Sequence, residues 1–320
     1  MTPNSNPLAF VFPGQGSQAV GMGRDLADAH ATAAEVFAEV DEALGQNLSQ
    51  LIFEGPSDTL TLTENAQPAL MAVSIAVIRV LAENGFDMID KAKFVAGHSL
   101  GEYSALVAAG TFGLADGARL LKIRGQAMQK AVPVGDGAMA ALLGLDMETA
   151  KIVADEAAEG EICTAANDNA PGQVVISGAR MAVERAIVIA KAHGAKRGML
   201  LPVSAPFHCA LMAPAAEIMA DALAGVRMET PKVPLIANIT AGPVVNAAEI
   251  RRLLVEQVTG MVRWRESVQY MKAEGVEKLI EVGSGKVLSG LARRIDSDLQ
   301  GISIGTPEDI AAFLGETENV

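Results

Sequence analysis

The 320-residue sequence predicts an α/β protein built on a mostly parallel sheet, with a smaller unit inserted into it. Toward both ends of the chain, short apolar runs alternate with longer segments of helical periodicity, a pattern typical of parallel strands joined by helices. Between about residues 134 and 202 the order becomes βαββαβ, the ferredoxin-like arrangement. We therefore expect a large domain formed by residues 1–133 and 203–320, and an inserted subdomain formed by residues 134–202.

The N-terminal part of the large domain is expected to contain two buried strands and four helices. The apolar run in LAFVFPGQGSQ predicts the first strand, and Phe94–Ala96 predicts the second. Apolar residues at helical spacing predict helices at about Met22–Leu44, Gln67–Asn84, Glu102–Ala109 and Ala115–Val132. Alternation of this kind implies a sheet covered on both faces.

The chain changes character after Pro133. The inserted unit is expected to consist of the strand AMAALLGL, the helix DMETAKIVADEAA, the strands EICTAAN and QVVISG joined by turn residues Asp168–Gly172, the helix ARMAVERAIVIAKAHG and the strand KRGMLLPV. The chain then returns to the large domain with a helix at about Ala210–Leu223 and the strands PLIANI and KLIEVG. A cleft between two such domains is a natural place for a ligand.

Composition excludes several classes of protein. Hydrophobic residues make up 50% of the chain, but no apolar run reaches the roughly 18 residues of a membrane-spanning helix. A formal net charge of −13 argues against a nucleic-acid partner. Met1–Pro7 lacks the features of a signal peptide, so we expect a cytoplasmic location. Cys163 and Cys209 fit no disulfide framework and are expected to be reduced thiols. The oligomeric state stays open, with a monomer as one possibility.

The segment Gly97-His98-Ser99-Leu100-Gly101 matches G-x-S-x-G between a predicted strand and a predicted helix. In such a nucleophile elbow the turn holds the serine hydroxyl above the end of the strand, and N–H groups at the helix start can stabilise an oxyanion. The alternative is that Ser99 only caps the helix. The strand–turn–helix context favours the nucleophile.

A serine nucleophile needs a base, and the chain has four histidines. His98 adjoins the serine but is expected to point elsewhere, while His30 and His193 lie in polar helical stretches. His208 follows an apolar segment and precedes a helix, which makes it the best candidate; the alternative is a core histidine bonded to the backbone. No acidic residue obviously completes a triad, so a dyad oriented by a backbone carbonyl or an amide side chain fits better.

Arg124 lies on the apolar face of a predicted helix, because Leu120, Leu121 and Met128 fall at helical spacing with it. A buried guanidinium needs a partner. One interpretation is an internal salt bridge with a carboxylate of the protein. The other is that the partner is a carboxylate of the substrate, held by the fork of the guanidinium.

Two glycine-rich loops partly match the patterns of nucleotide-binding sites. GQGSQA, at residues 14–19, matches the dinucleotide pattern, but no second strand with a ribose-binding acid follows it. GSGKV, at residues 283–287, lacks the first glycine and the hydroxyl residue of a phosphate loop. The loop Gly14-Gln15-Gly16 is better interpreted as a tight turn whose backbone N–H can approach a reacting carbonyl oxygen.

Six segments together resemble, in the same order, the signatures of the malonyl-CoA:acyl carrier protein transacylases of fatty-acid synthesis. They are FVFPGQGSQ, GHSLGEYSAL, RGQAMQ, NDNAPGQVVISG, PVSAPFHCALM and EVGSGKVLSGL. The resemblance spans nearly the whole chain. It implies an α/β-hydrolase-like large domain, a ferredoxin-like small one, and a ping-pong reaction without a metal or a resident cofactor.

The resemblance also implies catalytic roles for particular residues. Ser99 would be the nucleophile, His208 the base and later the acid, and Arg124 the clamp for the malonyl carboxylate. Gln257, in VEQVTGMVRW, would orient the imidazole through its backbone carbonyl and replace the missing acid. The malonyl group would pass from coenzyme A to Ser99 and then to the phosphopantetheine thiol of the carrier protein.

Five further residues are implied to surround the reacting group. Gln15 and Leu100 would supply the N–H groups of the oxyanion hole. Met128 and Asn167 resemble neighbours of the acyl pocket. Phe207 resembles the residue of malonyl-selective members, because a bulky ring at this position would crowd an α-methyl branch.

The expected partners are malonyl-CoA and an acyl carrier protein. Carrier proteins of this family are typically acidic, and the chain itself carries −13, so binding would need a local basic patch. The candidates are Lys191, Lys196, Arg197, Arg251, Arg252 and Arg265. The alternative for each one singly is an ordinary solvated surface charge.

Three alternatives stay open at this point. A serine thioesterase or esterase would release free acid and would need no carboxylate clamp. A polyketide-associated acyltransferase would use the same chemistry with another carrier. A carrier-binding module without chemistry of its own would have no use for both Ser99 and His208.

Overall fold

The computed structural model describes residues 8–317, so the expectation for Met1–Pro7 lies outside the described residues. In this part of the chain, ten strands form two sheets. The strands are β1 (Leu8–Phe12), β2 (Ala92–Gly97), β3 (Gly137–Leu143), β4 (Cys163–Ala170), β5 (Gln173–Ala179), β6 (Arg197–Leu200), β7 (Leu235–Ile236), β8 (Pro243–Val244), β9 (Lys278–Val282) and β10 (Gln300–Ile304).

Fifteen α-helices connect and cover the strands within residues 8–317. They are α1 (Arg24–Ala29), α2 (Ala31–Leu44), α3 (Leu48–Glu54), α4 (Ser57–Thr61), α5 (Thr63–Glu83), α6 (Met88–Lys91), α7 (Gly101–Ala108), α8 (Leu114–Ala131), α9 (Met147–Ala158), α10 (Arg180–Ala192), α11 (Ala213–Ala224), α12 (Ala247–Thr259), α13 (Trp264–Ala273), α14 (Val287–Ile295) and α15 (Pro307–Thr317). A 3₁₀ turn at Ala210–Met212 leads into α11.

The larger sheet has six strands in the order β10-β9-β1-β2-β7-β8. All neighbouring strands are parallel except β8, which runs antiparallel to β7. The central strands β1 and β2 end side by side, with Phe12 opposite Gly97. Because the carboxyl ends of parallel strands meet at one edge of a sheet, the loops that follow β1 and β2 lie next to each other there.

Helix α5 is the central helix of the fold. By length and composition it is the one helix in residues 8–317 that could cross a membrane. However, 83% of its most apolar 18-residue stretch is buried inside the fold. It packs against α2 and α8. Buried polar residues interrupt the apolar sequence of this continuous helix, among them Asn65, Gln67 and Ser74. The sequence therefore has no unbroken apolar run here.

The smaller sheet is antiparallel, in the order β4-β5-β3-β6, and α9 and α10 cover it. Its outer strand β4 is joined to the segment that precedes α13. Val262 N–H donates to the Ala166 carbonyl at 2.9 Å, and Asp168 N–H donates to the Val262 carbonyl at 2.9 Å. Arg265 adds an ion pair to Asp168, at 2.7 Å. These contacts fix the small sheet against the rest of the molecule.

The predicted class, a mixed α/β protein with a mainly parallel sheet and a second small sheet, is confirmed.

Three local predictions were wrong. The helix expected at Met22–Leu44 is two helices, because His30 adopts an extended conformation that redirects the chain. β4 continues through the expected turn to Ala170. The strand expected over PLIANI is only Leu235–Ile236, because the chain leaves the sheet at Ala237. Cys163 and Cys209 are free and buried.

Candidate active site

Ser99 lies in the turn that joins β2 to α7, with a φ of 54° that non-glycine residues rarely adopt. Packing requires the glycines on both sides. A Cβ on Gly97 would lie 1.9 Å from the Gly101 carbonyl, and a Cβ on Gly101 would lie 2.2 Å from the Phe12 carbonyl oxygen. The helix begins after Leu100 without any side-chain capping bond, so Ser99 is not the helix cap. The turn has the form of a nucleophile elbow.

Ser99 and His208 are in direct contact, with 2.8 Å between Ser99 Oγ and His208 Nε2. On the other side of the ring, Nδ1 lies 2.9 Å from the Gln257 carbonyl oxygen and 3.1 Å from that of Gly260. Because a carbonyl oxygen can only accept, these neighbours assign the proton to Nδ1 and leave Nε2 as an acceptor. The pair can therefore remove the serine proton without an acidic third residue.

The surroundings keep the His208 ring unprotonated. Burial lowers the pKa of His208 to about 3, and the positive charge of Arg124 contributes in the same direction. The imidazole is consequently neutral near pH 7, which is the form that a general base needs.

Arg124 extends from α8 into the same site, with only 1% of the residue exposed. Its Nη1 donates to Gln67 Oε1 at 2.9 Å, and its Nη2 donates to Gln257 Oε1 at 2.8 Å and to Ser99 Oγ at 3.1 Å. Its Nε has no partner, and within residues 8–317 no carboxylate forms an ion pair with it at 4.0 Å or less. The internal salt bridge considered from the sequence is therefore absent from this part of the chain. A buried guanidinium with neutral partners is suited to binding an anion.

A buried carboxyl group, Glu102, lies at the start of α7 and interacts electrostatically with Arg124. Glu102 Oε2 accepts from Gln257 Nε2 at 2.8 Å and from the Asn238 N–H at 3.2 Å. Burial raises the pKa of Glu102 to about 7, against the opposing effect of these bonds and of Arg124. The Gln257 amide thus lies between the guanidinium and the carboxylate. Glu102 is close enough to influence Arg124 without occupying its donors.

The loop after β1 packs directly against the elbow. The His98 N–H donates to the Phe12 carbonyl at 3.0 Å. A Cβ on Gly14 would lie 2.9 Å from the His98 carbonyl oxygen, so only glycine fits at this approach. The Gln15 side chain is held by a bond from Nε2 to Thr63 Oγ1 at 3.2 Å. This packing places Gly14, the residue before Gln15, against the turn that carries Ser99. The role of the Gln15 N–H in the oxyanion hole stays a prediction.

The first N–H groups of α7 are not equally available. Those of Gly101 and Glu102 donate to the carbonyls of His98 and Ser99, at 2.9 and 3.0 Å. The Leu100 N–H makes no such bond in the described part of the chain. It can therefore donate to an oxyanion that forms beside Ser99.

Comparison with known proteins gives consistent results. The family model for the acyl transferase domain matches residues 9–294. The malonyl CoA-acyl carrier protein transacylase of Escherichia coli strain K12 is 49% identical over 308 residues, which cover 96% of this chain and 98% of that protein. The chain belongs to the malonyl CoA-acyl carrier protein transacylase family.

Solved structures of the transacylase family agree with this assignment. The acyl-carrier-protein-S-malonyltransferase of Bartonella henselae is 57% identical, with a TM-score of 0.95, and the match covers 98% of this chain and 100% of that one. A malonyl-transacylase in complex with its type II PKS acyl-carrier protein is 44% identical, with a TM-score of 0.94 and coverage of 97% and 99%.

Most residues implied by the transacylase resemblance lie near one another. Met128 is 1% exposed, and its sulfur lies 3.9 Å from Nε2 of Gln67, the same amide that contacts Arg124. Phe207 is 9% exposed and directly precedes His208. Both are therefore close to the dyad or to the guanidinium.

Asn167 is the exception among the implied pocket residues. It is 6% exposed in β4, where its backbone bridges to Val262. In the described chain, no hydrogen bond joins its side chain to Ser99, His208 or Arg124. Its role as a pocket neighbour stays a prediction.

The other histidines have different partners. His98 Nε2 lies 2.9 Å from Asn169 Oδ1, and its ring packs against Trp264, so it points away from the serine hydroxyl. His30 lies at the break between α1 and α2, beside Glu83 at 3.6 Å. His193 ends α10 and contacts Glu156 at 3.0 Å.

Sequence reasoning missed three residues that complete the site: Gln67, Glu102 and Asn238. Each is nearly fully buried, at 1% exposure. Gln67 interrupts an apolar helical stretch, and a buried polar residue there was a usable signal. Glu102 and Asn238 had no comparable signal, because their partners come from distant parts of the chain.

Three of the six basic residues proposed for a carrier patch form contacts with other residues of the chain. Arg265 pairs with the buried Asp168, Arg252 with Glu256, and Arg251 Nη2 donates to the Val226 carbonyl at 2.9 Å. The remaining three, which are exposed at the end of α10 and the start of β6, are Lys191, Lys196 and Arg197.

Proposed function

We propose that the protein transfers the malonyl group of malonyl-CoA to the phosphopantetheine thiol of an acyl carrier protein, through a malonyl ester on Ser99. One structural observation supports this proposal independently of the family assignment. The buried Arg124 guanidinium contacts Ser99 Oγ at 3.1 Å, and its hydrogen-bond partners within residues 8–317 are all neutral. An acyl group attached to Ser99 that itself ends in a carboxylate would supply the missing negative charge.

The first half-reaction loads the enzyme. His208 Nε2 accepts the proton of the Ser99 hydroxyl as Oγ attacks the thioester carbonyl. The tetrahedral oxyanion is stabilised by the backbone N–H groups of Leu100 and Gln15. The carbon–sulfur bond then breaks, coenzyme A leaves as its thiol with the proton from His208, and the malonyl ester stays on Ser99.

The second half-reaction reverses these steps with another thiol. The phosphopantetheine thiol of the carrier protein gives its proton to His208 and attacks the ester carbonyl. Collapse of the oxyanion returns the proton to Ser99 Oγ and leaves malonyl on the carrier. Because both half-reactions use one site, the kinetics are expected to be ping-pong.

The orientation of His208 is the proposed role of the Gln257 backbone carbonyl, at 2.9 Å from Nδ1. An acceptor at this position fixes the ring and its tautomer, as the acid of a triad would. When the malonyl carboxylate neutralises Arg124, one of the charges that lower the pKa of His208 is offset. Substrate binding therefore makes the base stronger.

The acyl pocket is proposed to be formed by Met128, Phe207 and Asn167. Met128 and Phe207 are apolar and nearly buried, so they exclude water from the reacting ester. The Phe207 ring is expected to crowd an α-methyl branch and so to favour malonyl over methylmalonyl.

The finer description of the fold belongs to the same proposal. We assign residues 1–133 and 203–320 to an α/β-hydrolase-like catalytic domain, on the support of its central parallel strands and its elbow. We assign residues 134–202 to a ferredoxin-like subdomain, on the support of its βαββαβ order and its antiparallel sheet. The proposed reaction uses only side chains and backbone groups, without a resident cofactor. A cytoplasmic location stays a prediction.

The pathway has two candidates. The relatives named malonyl CoA-acyl carrier protein transacylase favour fatty-acid synthesis. A 44% identical relative in complex with a type II PKS acyl-carrier protein gives a specific reason to keep polyketide synthesis as the second. Rates of loading for a fatty-acid and a polyketide holo carrier protein, compared at equal concentration, distinguish the two.

A steady-state assay tests the proposed reaction. Release of coenzyme A from malonyl-CoA is followed while the concentrations of malonyl-CoA and holo carrier protein are both varied. We expect parallel double-reciprocal lines and almost no release when the carrier is absent. Rapid release without the carrier would indicate a thioesterase instead.

A further inference from the structure

The side chain of Asn238 lies under the nucleophile elbow and bonds to the backbone on both sides of it. Asn238 Nδ2 donates to the Gly97 carbonyl at 2.7 Å, and Asn238 Oδ1 accepts from the Ser99 N–H at 2.8 Å. The residue is 1% exposed. It lies two residues after β7, which pairs with β2, so the pairing of these strands brings it close to the elbow.

The backbone of Ser99 needs such support. Its φ of 54° is a left-handed conformation that is unfavourable for a residue with a Cβ. Conformations of this kind persist only where the surroundings over-determine them. A neutral carboxamide offers a donor and an acceptor a short distance apart, which is what the Gly97 carbonyl and the Ser99 N–H require.

The same bonds determine which backbone N–H groups near the serine remain available to the substrate. Because the Ser99 N–H donates to Asn238 Oδ1, it is not free to bind the reacting carbonyl. The N–H of Leu100, the next residue, is left for the oxyanion. The orientation of one peptide therefore determines which donor faces the substrate.

Asn238 also connects the nucleophile to the base. Its backbone N–H donates to Glu102 Oε2 at 3.2 Å, and Gln257 Nε2 donates to the same Oε2 at 2.8 Å and to the Ser99 carbonyl at 3.0 Å. The Gln257 carbonyl in turn accepts from His208 Nδ1. One buried network thus holds both sides of the proton transfer.

We propose that Asn238 is a positioning residue for acyl transfer, which fixes the Ser99 turn so that Oγ faces His208 and the Leu100 N–H faces the oxyanion. The inference rests on the proposed function, because it assigns Asn238 to the loading of Ser99. It predicts a defect in the chemical step, while the Arg124 clamp and substrate binding stay intact.

The first test is Asn238→Ala, compared with Ser74→Ala as a matched control. Ser74 is equally buried, and its Oγ donates to the Val282 carbonyl at 2.8 Å, so its loss also removes a buried bond to the backbone. We expect Asn238→Ala to lower kcat on the order of 10²-fold with little change in KM for malonyl-CoA. Ser74→Ala should lose stability but keep its kcat.

A serine-directed fluorophosphonate gives a second readout that does not depend on malonyl-CoA. We expect Asn238→Ala to slow the labelling of Ser99 per folded molecule, because the oxyanion donor and the base are misplaced. If wild type and Asn238→Ala are labelled and turn over at the same rate, the inference is wrong. If the wild type is labelled but never accepts malonyl, it is the proposed function that fails.

Asn238→Asp distinguishes positioning from loss of folding. A protonated carboxyl has the same shape as the amide and can donate to Gly97 while it accepts from Ser99; an ionised one cannot donate. Glu102, His208 and Arg124 also face this network, so the rate is expressed relative to wild type at each pH. We expect the relative kcat of folded Asn238→Asp to rise on the order of tenfold from pH 8 to pH 5.5. A ratio that is independent of pH would overturn the inference.

Discussion

Arg124 Nη2 lies 3.1 Å from Ser99 Oγ, so the buried cation of the site touches the hydroxyl that is proposed to carry the acyl group. Within residues 8–317 its other hydrogen-bond acceptors are the amide oxygens of Gln67 and Gln257, and the guanidinium lies 5.7 Å from the centre of the Tyr103 ring. Desolvation without a paired carboxylate is unfavourable for a guanidinium, and it lowers the pKa of Arg124. The protein therefore holds a charge whose electrostatic complement is expected on the substrate.

Arg124→Ala should change the choice of substrate more than it changes the chemistry. We expect kcat/KM for malonyl-CoA to fall about 10²-fold or more, because a buried charge-assisted contact is lost. Transfer of acetyl, which lacks the carboxylate, should be retained. Arg119→Ala, on an exposed position of the same helix, is the control. Equal losses for malonyl and acetyl would contradict the clamp.

Gln67→Glu should give Arg124 a carboxylate partner within the protein and so form an internal ion pair. The new carboxylate would lie where Gln67 Oε1 now accepts from Arg124 Nη1 at 2.9 Å. We expect KM for malonyl-CoA to rise on the order of tenfold, because the substrate must compete with a bonded carboxylate. Gln67→Met, which removes the hydrogen bond without adding charge, should raise KM much less. Isothermal titration and steady-state kinetics both measure this difference.

The pH dependence of Ser99 reactivity should reflect the lowered pKa of His208. Burial, aided by Arg124, brings this pKa to about 3, so the neutral base form predominates at every pH well above 3. Labelling of Ser99 by a neutral sulfonyl fluoride should therefore stay fast as the pH falls through the usual histidine pKa. In Arg124→Ala the pKa of His208 should be higher, because a nearby positive charge is removed. The acidic limb of the pH–rate profile should therefore move to higher pH. Because the pKa of Glu102 is raised to about 7 in the same network, the profile is also measured in Glu102→Gln. A half-maximal rate near pH 6.5 that persists in Glu102→Gln would disprove the assignment.

The elbow glycines should be intolerant of any side chain. In Gly101→Ala the new Cβ would meet the Phe12 carbonyl oxygen at 2.2 Å, and this backbone atom cannot move without disturbing β1. We expect the free energy of unfolding to fall by at least about 1–3 kcal/mol. Gly290→Ala, in α14 with nothing within 4 Å of its Cβ, should be neutral or stabilising. Thermal and urea unfolding of the two variants provide the comparison.

The main features of the fold could be predicted because they depend on local patterns. Apolar runs identified β1, β2 and β9, and the turn signals around Ser99 identified the elbow. The break at His30 escaped prediction, since helical periodicity continues across it. It arises from packing, which buries Leu26 of α1 and Val36 of α2 in one core although the two helices differ in direction.

The site was predictable where its chemistry requires particular side chains. Three features can be recognised in the sequence: a serine on an elbow, a histidine beside apolar residues and an arginine on an apolar helix face. Glu102 and Asn238 have no such feature, because they act through bonds to backbone groups about 140 positions away or through Gln257. Such supporting contacts exist only after the chain has folded.

The most direct test of the account is the intact mass of the protein after brief exposure to malonyl-CoA, measured beside Ser99→Ala and followed by addition of a holo acyl carrier protein. We predict one malonyl increment on the wild type, none on the variant, and complete discharge of the increment onto the carrier. Absence of the increment on the wild type, or its loss to water without loading of the carrier, would contradict an acyl relay at Ser99.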